Sequence, residues 1–280
     1  MEHILTERCK LTLLNEADFN ELIPLYTNED VRKYLGGVRT SNQALETLKQ
    51  AMQANGEYNF TVRLNTDEAI GLLMVAPHHD AKDMEISYMF LPQYWGMGYA
   101  KETVQVMLNF CKSKLKLARV VSETQAANEN SCRLLEALGY KIEEELERFE
   151  AQQRLYIYDF AEHFLKECET FFLATAADNA PAVRPFGAVM EHKGELYFST
   201  ASTKAVYNQL KANPQVQIVA LKASTREWIR INGNAIEVYD LDIKQKMLDV
   251  CPVLLKHFNS RSCTPFALFK FTEMEVKFYP

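Results

Sequence analysis

The chain has 280 residues and a formal charge of −6, long for one compact domain and comfortable for two. With 48% hydrophobic and 24% charged residues it has the composition of a folded protein with a proper core, and ten glycines and nine prolines are too few for low complexity. The negative charge and the lack of any Lys/Arg run exclude a general attraction to nucleic acid or to anionic membrane.

Met1 to Lys10 mixes charges of both signs and lacks the apolar stretch of a signal peptide. Helical spacing follows over Glu16–Tyr26 and over Gln43–Gln53, the second behind a Thr40-Ser41 cap. Phe60–Leu64, Ala69–Ala76 and Glu85–Leu91 read as successive strands. Ala69–Ala76 is the longest apolar run, far short of the roughly 20 residues that span a bilayer. Lys101–Lys114 is a one-faced helix, Ala118–Thr124 a strand, Ser131–Leu138 a helix ended by Gly139, and Leu155–Phe160 a strand. Alternation of strand and helix after Glu85 predicts a mixed, partly parallel sheet covered by helices, an α/β (α+β) domain over 1–159.

From residue 160 to residue 280 the pattern is mainly antiparallel β with short helices. A helix over Ala161–Glu169 precedes strands at Phe171–Thr175, Val183–Met190, Glu195–Thr200, Gln215–Leu221, Trp228–Val238 and Ala267–Tyr279. Helices interrupt them at Lys204–Ala212 and Asp242–Val250, and Ala177-Asp178-Asn179-Ala180 and His192-Lys193-Gly194 have hairpin-turn composition. Strands of such even spacing predict a barrel, whose closure removes unpaired edges. The boundary near Asp159–Ala161 leaves hardly any linker, so contact between the domains is expected. The six cysteines are scattered without a C-x-x-C pair or a close histidine, which predicts reduced thiols in a cytoplasmic protein and no metal site.

The strongest local signal is Gln93-Tyr94-Trp95-Gly96-Met97-Gly98-Tyr99-Ala100, between a strand and a helix. Amides at a helix start lack intrahelical partners and the helix dipole is positive there, so two glycines that bring the backbone close make an anion cradle. A tight turn would require the same glycines, and the residues alone leave both readings open. This octapeptide resembles the Q-x-x-G-x-G/A motif of the GNAT acetyltransferases, in the form found in ribosomal-protein N-terminal acetyltransferases. Thr6-Glu7-Arg8, Glu85-Ile86-Ser87-Tyr88, Asn128-Glu129-Asn130-Ser131 and Leu138-Gly139-Tyr140 extend the resemblance over roughly residues 5 to 160. It implies that amides from Gln93 through Gly96, Met97, Gly98, Tyr99 and Ala100 hold the pyrophosphate of acetyl-CoA. It further implies that Met89, Phe90 and Leu91 pair with the pantetheine arm, which Asn128 and Ser131 also contact; Asn128 equally suits a plain helix cap.

The implied chemistry is attack of an amine on the acetyl thioester, and the amine must first lose a proton. Glu123, just upstream of Asn128, and Glu85, on the motif strand, are the candidate bases, though either also suits an ordinary strand position. Many relatives place a tyrosine acid where this sequence has Leu135, which leaves thiolate protonation unassigned. The acidic run Glu143-Glu144-Glu145 with Glu147 and Glu150 reads as a solvated edge.

In the second half, Arg184-Pro185-Phe186-Gly187 opens a strand and Tyr197-Phe198-Ser199-Thr200 closes the next, just before Lys204. Hydroxyls of Ser199, Thr200 and Ser202 with charge from Arg184 and Lys204 suit a phosphate monoester; a helix cap with a surface lysine suits the same residues. Together with Leu210-Lys211-Ala212-Asn213-Pro214 and Arg230-Ile231-Asn232-Gly233, these pieces make the segment from about Phe164 to Tyr279 resemble the pyridoxamine 5′-phosphate oxidase-like split-barrel flavoproteins. The resemblance implies FMN held where two barrels pair, with Arg184, Pro185, Phe186, Gly187 and Thr200 to Lys204 among its contacts, and hence a homodimer. The sequence runs to Pro280 without the arginine-containing region that holds substrate in the true oxidases, so vitamin B6 oxidation is not expected. The expectation is a bifunctional protein: an amine N-acetyltransferase, and a flavin domain passing electrons from NAD(P)H to an unnamed acceptor. In the alternative the flavin domain is a redox sensor or a dimerisation module.

Overall fold

The computed structural model describes residues 3–177 and 179–280, which divide into two compact units, Met1–Tyr158 and Asp159–Pro280. In the first unit, β1 (Ile4–Leu5), β2 (Cys9–Leu13), β3 (Tyr58–Leu64), β4 (Ala69–Pro77) and β5 (Met84–Phe90) pair in antiparallel order. Four helices, α1 (Phe19–Leu22), α2 (Pro24–Thr27), α3 (Glu29–Arg32) and α4 (Ser41–Gln53), lie between β2 and β3 in the chain. Then α5 (Tyr99–Ser113) crosses from β5 to β6 (Arg119–Gln125), which runs parallel to β5. After α6 (Glu129–Ala137), a hairpin of β7 (Lys141–Arg148) and β8 (Ala151–Asp159) completes an eight-stranded mixed sheet in the order β1-β2-β3-β4-β5-β6-β8-β7.

The single helix expected over Glu16–Tyr26 is instead a 3-10 turn at Glu16–Asp18 followed by α1 and α2. Pro24 is the reason, because it has no N–H to continue the hydrogen-bond ladder. The break still lets Leu22, Leu25 and Tyr26 bury themselves against Ala44, Leu48, Leu72 and Met89. The Thr40 cap is reciprocal: its hydroxyl accepts from the Gln43 N–H, and the Gln43 side chain accepts from the Thr40 N–H at 2.9 Å. Val104, Met107, Leu108 and Cys111 of α5 are fully buried, each side chain of that size contributing about 1.5–3 kcal/mol. The acidic run falls on β7, an outermost strand of the sheet, where exposed glutamates blunt edge pairing.

The second unit opens with α7 (Phe160–Cys168) and builds one antiparallel sheet. Its strands are β9 (Phe171–Ala177), β10 (Ala180–Phe186), β11 (Val189–His192), β12 (Glu195–Ala201), β13 (Gln215–Leu221), β14 (Trp228–Val238) and β15 (Phe266–Tyr279). Their order is β10-β9-β13-β14-β15-β12-β11, with α8 (Ala205–Ala212) after β12 and α9 (Leu241–Val250) after β14. The closure expected from strand spacing is not reached. Among the described residues β10 and β11 each pair with one neighbour, so the sheet is a split barrel with two free edges.

The strand expected over Val183–Met190 is two strands, interrupted at Gly187-Ala188. A β-carbon on Gly187 would lie 3.1 Å from the Glu169 carbonyl, so the chain turns there with little room for a side chain. His192 and Glu195 face each other across the two-residue turn Lys193-Gly194, both at positive φ, as a type I′ hairpin requires. The other expected hairpin includes Asp178, outside the described residues; Ala177 and Ala180 on either side are paired. Alternating side chains put Leu196 and Phe198 into one apolar layer with Phe171, Leu173 and Ile231. Tyr197 and Ala201 face another with Met190, Met247, Leu248 and Leu268. Among the described residues no helix is long and apolar enough to cross a membrane. All six cysteines are free thiols.

Candidate active site

β5 and β6 pair briefly, with Glu85 opposite Val121, and both strands continue beyond that point as walls of a cleft of about 690 Å³. After Phe90 a 3-10 turn over Pro92–Tyr94 leads to Trp95, whose indole N–H donates to the Phe90 carbonyl at 2.7 Å. Gly96 and Gly98 then adopt φ of 72° and 83°, and Gly98 is the residue before α5. No side chain caps α5, so its first amides are available to an anion at the positive end of a 15-residue helix. A β-carbon on Gly96 would meet nothing within 4 Å, whereas one on Gly98 would sit 3.3 Å from Arg8 Nη2.

Gly96, Gly98, Tyr99, Ala100, Met89, Phe90, Asn128 and Ser131 all line this cleft, as does Glu123. Leu91, Gln93, Met97 and Glu85 are not among its lining residues. The Leu91 amide is spent on the Ile70 carbonyl at 3.0 Å, and the Met97 carbonyl accepts from Arg8 Nη1 at 2.9 Å. Asn128 is the cap of α6, its Oδ1 accepting from the Ser131 N–H at 3.4 Å, and it also lines the cleft. Ser131 Oγ lies 2.8 Å from the Tyr88 hydroxyl, whose pKa burial pushes up to about 12. Leu135 also borders the cleft and offers no proton.

Glu123, at the cleft end of β6, is 7% exposed. Its Oε2 is held by His78 Nε2 at 3.0 Å and by Arg148 Nη1 at 2.9 Å, while its Oε1 has no hydrogen-bond partner. Glu85 Oε1 accepts the Glu123 backbone N–H at 3.2 Å, so that carboxyl supports the strand. Burial pushes the Glu85 pKa up, against the hydrogen bond from the Glu123 amide. Burial lowers the His78 pKa, but the Asp80 and Glu123 carboxylates on its two ring nitrogens outweigh that and raise it overall. Asp80 Oδ1 is 3.0 Å from Nδ1 but off the direction of a good hydrogen bond. His78, Asp80 and Arg148 carry no spacing signal linking them to Glu123. Only the adjacency of two histidines and an aspartate after a strand hinted at a site.

In the second unit Lys204 is exposed and immediately precedes α8, whose first turn has no side-chain cap. Ser202, half-buried, and Thr200 come just before it in the chain. Ser199 and Thr200 are neighbours on β12 and project from opposite faces. Thr200 shares the face of Phe198, whereas Ser199 shares that of Tyr197 and Ala201, and its buried Oγ has no partner. One phosphate therefore cannot take both hydroxyls. Arg184 Nη1 donates to Thr175 Oγ1 at 2.7 Å and Nη2 to Gln209 Oε1 at 2.5 Å, and burial lowers its pKa. Gln209 belongs to α8, so the guanidinium is tied to that helix. Phe186 packs on the inner layer, stacked on Phe171. Ser202, Lys204 and the open amides of α8 suit a phosphate monoester such as that of FMN, whereas Thr200 and Ser199 are both buried, on opposite faces of β12.

Residues 8–141 match the acetyltransferase (GNAT) domain family, and residues 157–279 match the pyridoxamine 5′-phosphate oxidase family. The chain carries a GNAT acetyltransferase domain followed by a pyridoxamine 5′-phosphate oxidase-like domain. It is 29% identical over 161 residues to the uncharacterized N-acetyltransferase p20 of Bacillus licheniformis, covering 54% of this chain and 88% of p20. A GNAT-family acetyltransferase from Bacillus anthracis shares its fold, with a TM-score of 0.51 at 24% identity over 56% of this chain and 98% of the other. A NimC/NimA family protein from Clostridium acetobutylicum is 37% identical, covering 42% of this chain and 84% of its own, with a TM-score of 0.41.

Proposed function

We propose that the first unit transfers the acetyl group of acetyl-CoA to an amine, with Glu123 as the base. The observation that carries this reading is that the glycine loop before α5 and Glu123 line the same cleft, and that the buried Oε1 of Glu123 has no hydrogen-bond partner among the described residues. The pyrophosphate rests on the amides around Gly98, Tyr99 and Ala100, which places the pantetheine arm along Met89 and Phe90 between the splayed strands. Glu123 Oε1 takes a proton from the incoming ammonium. The freed amine attacks the thioester carbonyl, and the tetrahedral intermediate collapses by expelling CoA thiolate. His78 and Arg148 hold the carboxylate through Oε2 and leave Oε1 without a partner of its own among the described residues. The test is release of free CoA thiol from acetyl-CoA in the presence of a panel of amines. Amine-dependent thiol release that disappears in Glu123→Gln supports the reading, and release that is independent of any amine contradicts it.

The second unit, on this reading, holds FMN through Ser202, Lys204 and the first amides of α8, with Arg184 bracing α8 from β10. FMN, when bound, supplies electron transfer from NAD(P)H. Pairing of two copies is supported by the outward face of the sheet, where Phe172 and Val183 are 48% and 62% exposed and Leu221 is 53% exposed. Apolar side chains gathered on one sheet face are the mark of a protein contact surface, which also favours the reading of this unit as a dimerisation module. The protein on this account works in the cytoplasm, where thiols stay reduced.

A further inference from the structure

Where β4 ends at Pro77, the chain continues as His78-His79-Asp80 and brings two imidazoles to the Glu123 carboxylate. His78 Nε2 lies 3.0 Å and His79 Nε2 3.5 Å from Glu123 Oε2. One donor atom from each of the three residues falls within 4.8 Å of the others. A tetrahedral zinc ion, bound at ~2.0–2.1 Å, keeps neighbouring donors roughly 3.4 Å apart. The three side chains therefore converge closely enough to share one ion once the His78–Glu123 hydrogen bond gives way to it.

We propose that His78, His79 and Glu123 form a binding site for a divalent transition-metal ion, and that occupation of this site switches off acetyl transfer by taking the Glu123 carboxylate away from the amine. Two further observations support a ligand here. The Glu123 side chain is only 7% exposed, yet its Oε1 has no hydrogen-bond partner among the described residues. Asp80 Oδ1 stands 3.0 Å from His78 Nδ1, on the ring nitrogen opposite the ion. That contact is off the direction of a good hydrogen bond as it stands; turned into line, an outer carboxylate in that place would fix the tautomer of a metal-bound histidine and leave its Nε2 lone pair for the metal. Two imidazoles and one carboxylate select zinc, cobalt, nickel or copper over magnesium or calcium. Three protein ligands leave a fourth position for water. Arg148 bonds the carboxylate through Oε2, so the lone pairs of Oε1 are not spent on it. His79 is 41% exposed and gives the ion a way in.

The inhibitory half of this proposal rests on Glu123 being the base, so the experiment reads binding and catalysis separately. The metal-free full-length chain is titrated with zinc by calorimetry and with cobalt by visible absorption, without acetyl-CoA. One ion per chain and the intense visible bands of low-coordinate cobalt are expected. His79→Ala, at a half-exposed position, should weaken zinc binding by at least ~10–100-fold, and Asp80→Asn by about tenfold. Zinc should stop acetyl transfer by the native chain, and His79→Ala should keep its own metal-free rate at the same zinc concentration. The site is overturned if no ion binds, or if zinc binds His79→Ala as tightly as the native chain. Zinc bound through His79 with undiminished acetyl transfer overturns the switch. A Glu123→Gln chain that transfers acetyl at the native rate contradicts the base assignment instead, and the calorimetric titration still decides the site.

Discussion

Arg8 Nε and Glu102 Oε2 meet at 2.7 Å, and through that contact the bend before β2 grips the helix behind the glycine loop. The Arg8 backbone N–H and the Thr6 hydroxyl both donate to Glu102 Oε1, while Arg8 Nη1 reaches the Met97 carbonyl at 2.9 Å. The guanidinium also lies 4.4 Å over the Tyr99 ring. The opening Thr6-Glu7-Arg8 thus has a physical role: it sets the shape of the loop from both ends. Replacing Arg8 with alanine should raise KM for acetyl-CoA by about tenfold, the effect of losing one charge-assisted hydrogen bond, with a smaller change in kcat. Steady-state kinetics at saturating amine measure it.

The same pair predicts a pH dependence of stability. Burial pushes the Glu102 carboxyl up, but the bonds from Thr6 and from the Arg8 amide and side chain outweigh it and hold the pKa below the ordinary carboxylate value. A depressed folded pKa means the contribution is present above the unfolded pKa and is lost as pH falls through the folded one. The gap in Tm between the native chain and Glu102→Gln should therefore be full near neutral pH and should narrow in acid below about pH 4. A gap that widens in acid would contradict this assignment.

Glu123 and Glu85 should separate cleanly. Glu123→Gln keeps the shape of a cleft residue and removes the base, so kcat should fall by about 10²–10⁴ with little change in affinity for acetyl-CoA. Glu85→Gln lies off the cleft wall and keeps an acceptor for the Glu123 amide, so its rate should stay within about threefold of native. Thiol release and acetyl-CoA calorimetry on both variants give the comparison.

On the split barrel, Lys204→Glu places a negative charge at the open start of α8 and should strip FMN during purification. Ser199→Ala should leave the flavin absorbance untouched, since that hydroxyl faces the layer of Met247 and Leu248. Removing a buried hydroxyl with no partner should leave stability unchanged or raise it by about 1 kcal/mol. Absorbance spectra and thermal unfolding read both effects.

Much of this molecule was legible in its sequence because local physics decides it. The glycines that cross to positive φ, the Thr40 cap and the Lys193-Gly194 turn are dictated by neighbours within a few residues. What stayed hidden depends on register between distant segments. His78 reaches Glu123 across the neighbouring strand β5, a contact between segments 45 residues apart that no motif announces. The Ser199 and Thr200 hydroxyls looked like one cluster in the sequence, yet strand alternation sends them to opposite layers. The closed barrel failed for a similar reason: even strand spacing does not say whether the two outermost strands, β10 and β11, meet. Glu143, Glu144, Glu145 and Glu147 fell on an edge strand and Glu150 in the turn after it, and there the plain reading of charge sufficed.

The account stands or falls on the cleft behind Gly96 as the seat of acetyl-CoA. Calorimetric titration of acetyl-CoA into the native chain and into Gly96→Glu tests it most directly, because a side chain at Gly96 would project into open space where the pyrophosphate is placed. Saturable one-to-one binding by the native chain and none by the variant is the predicted result. Equal affinity in the two, with the variant folded, would contradict it.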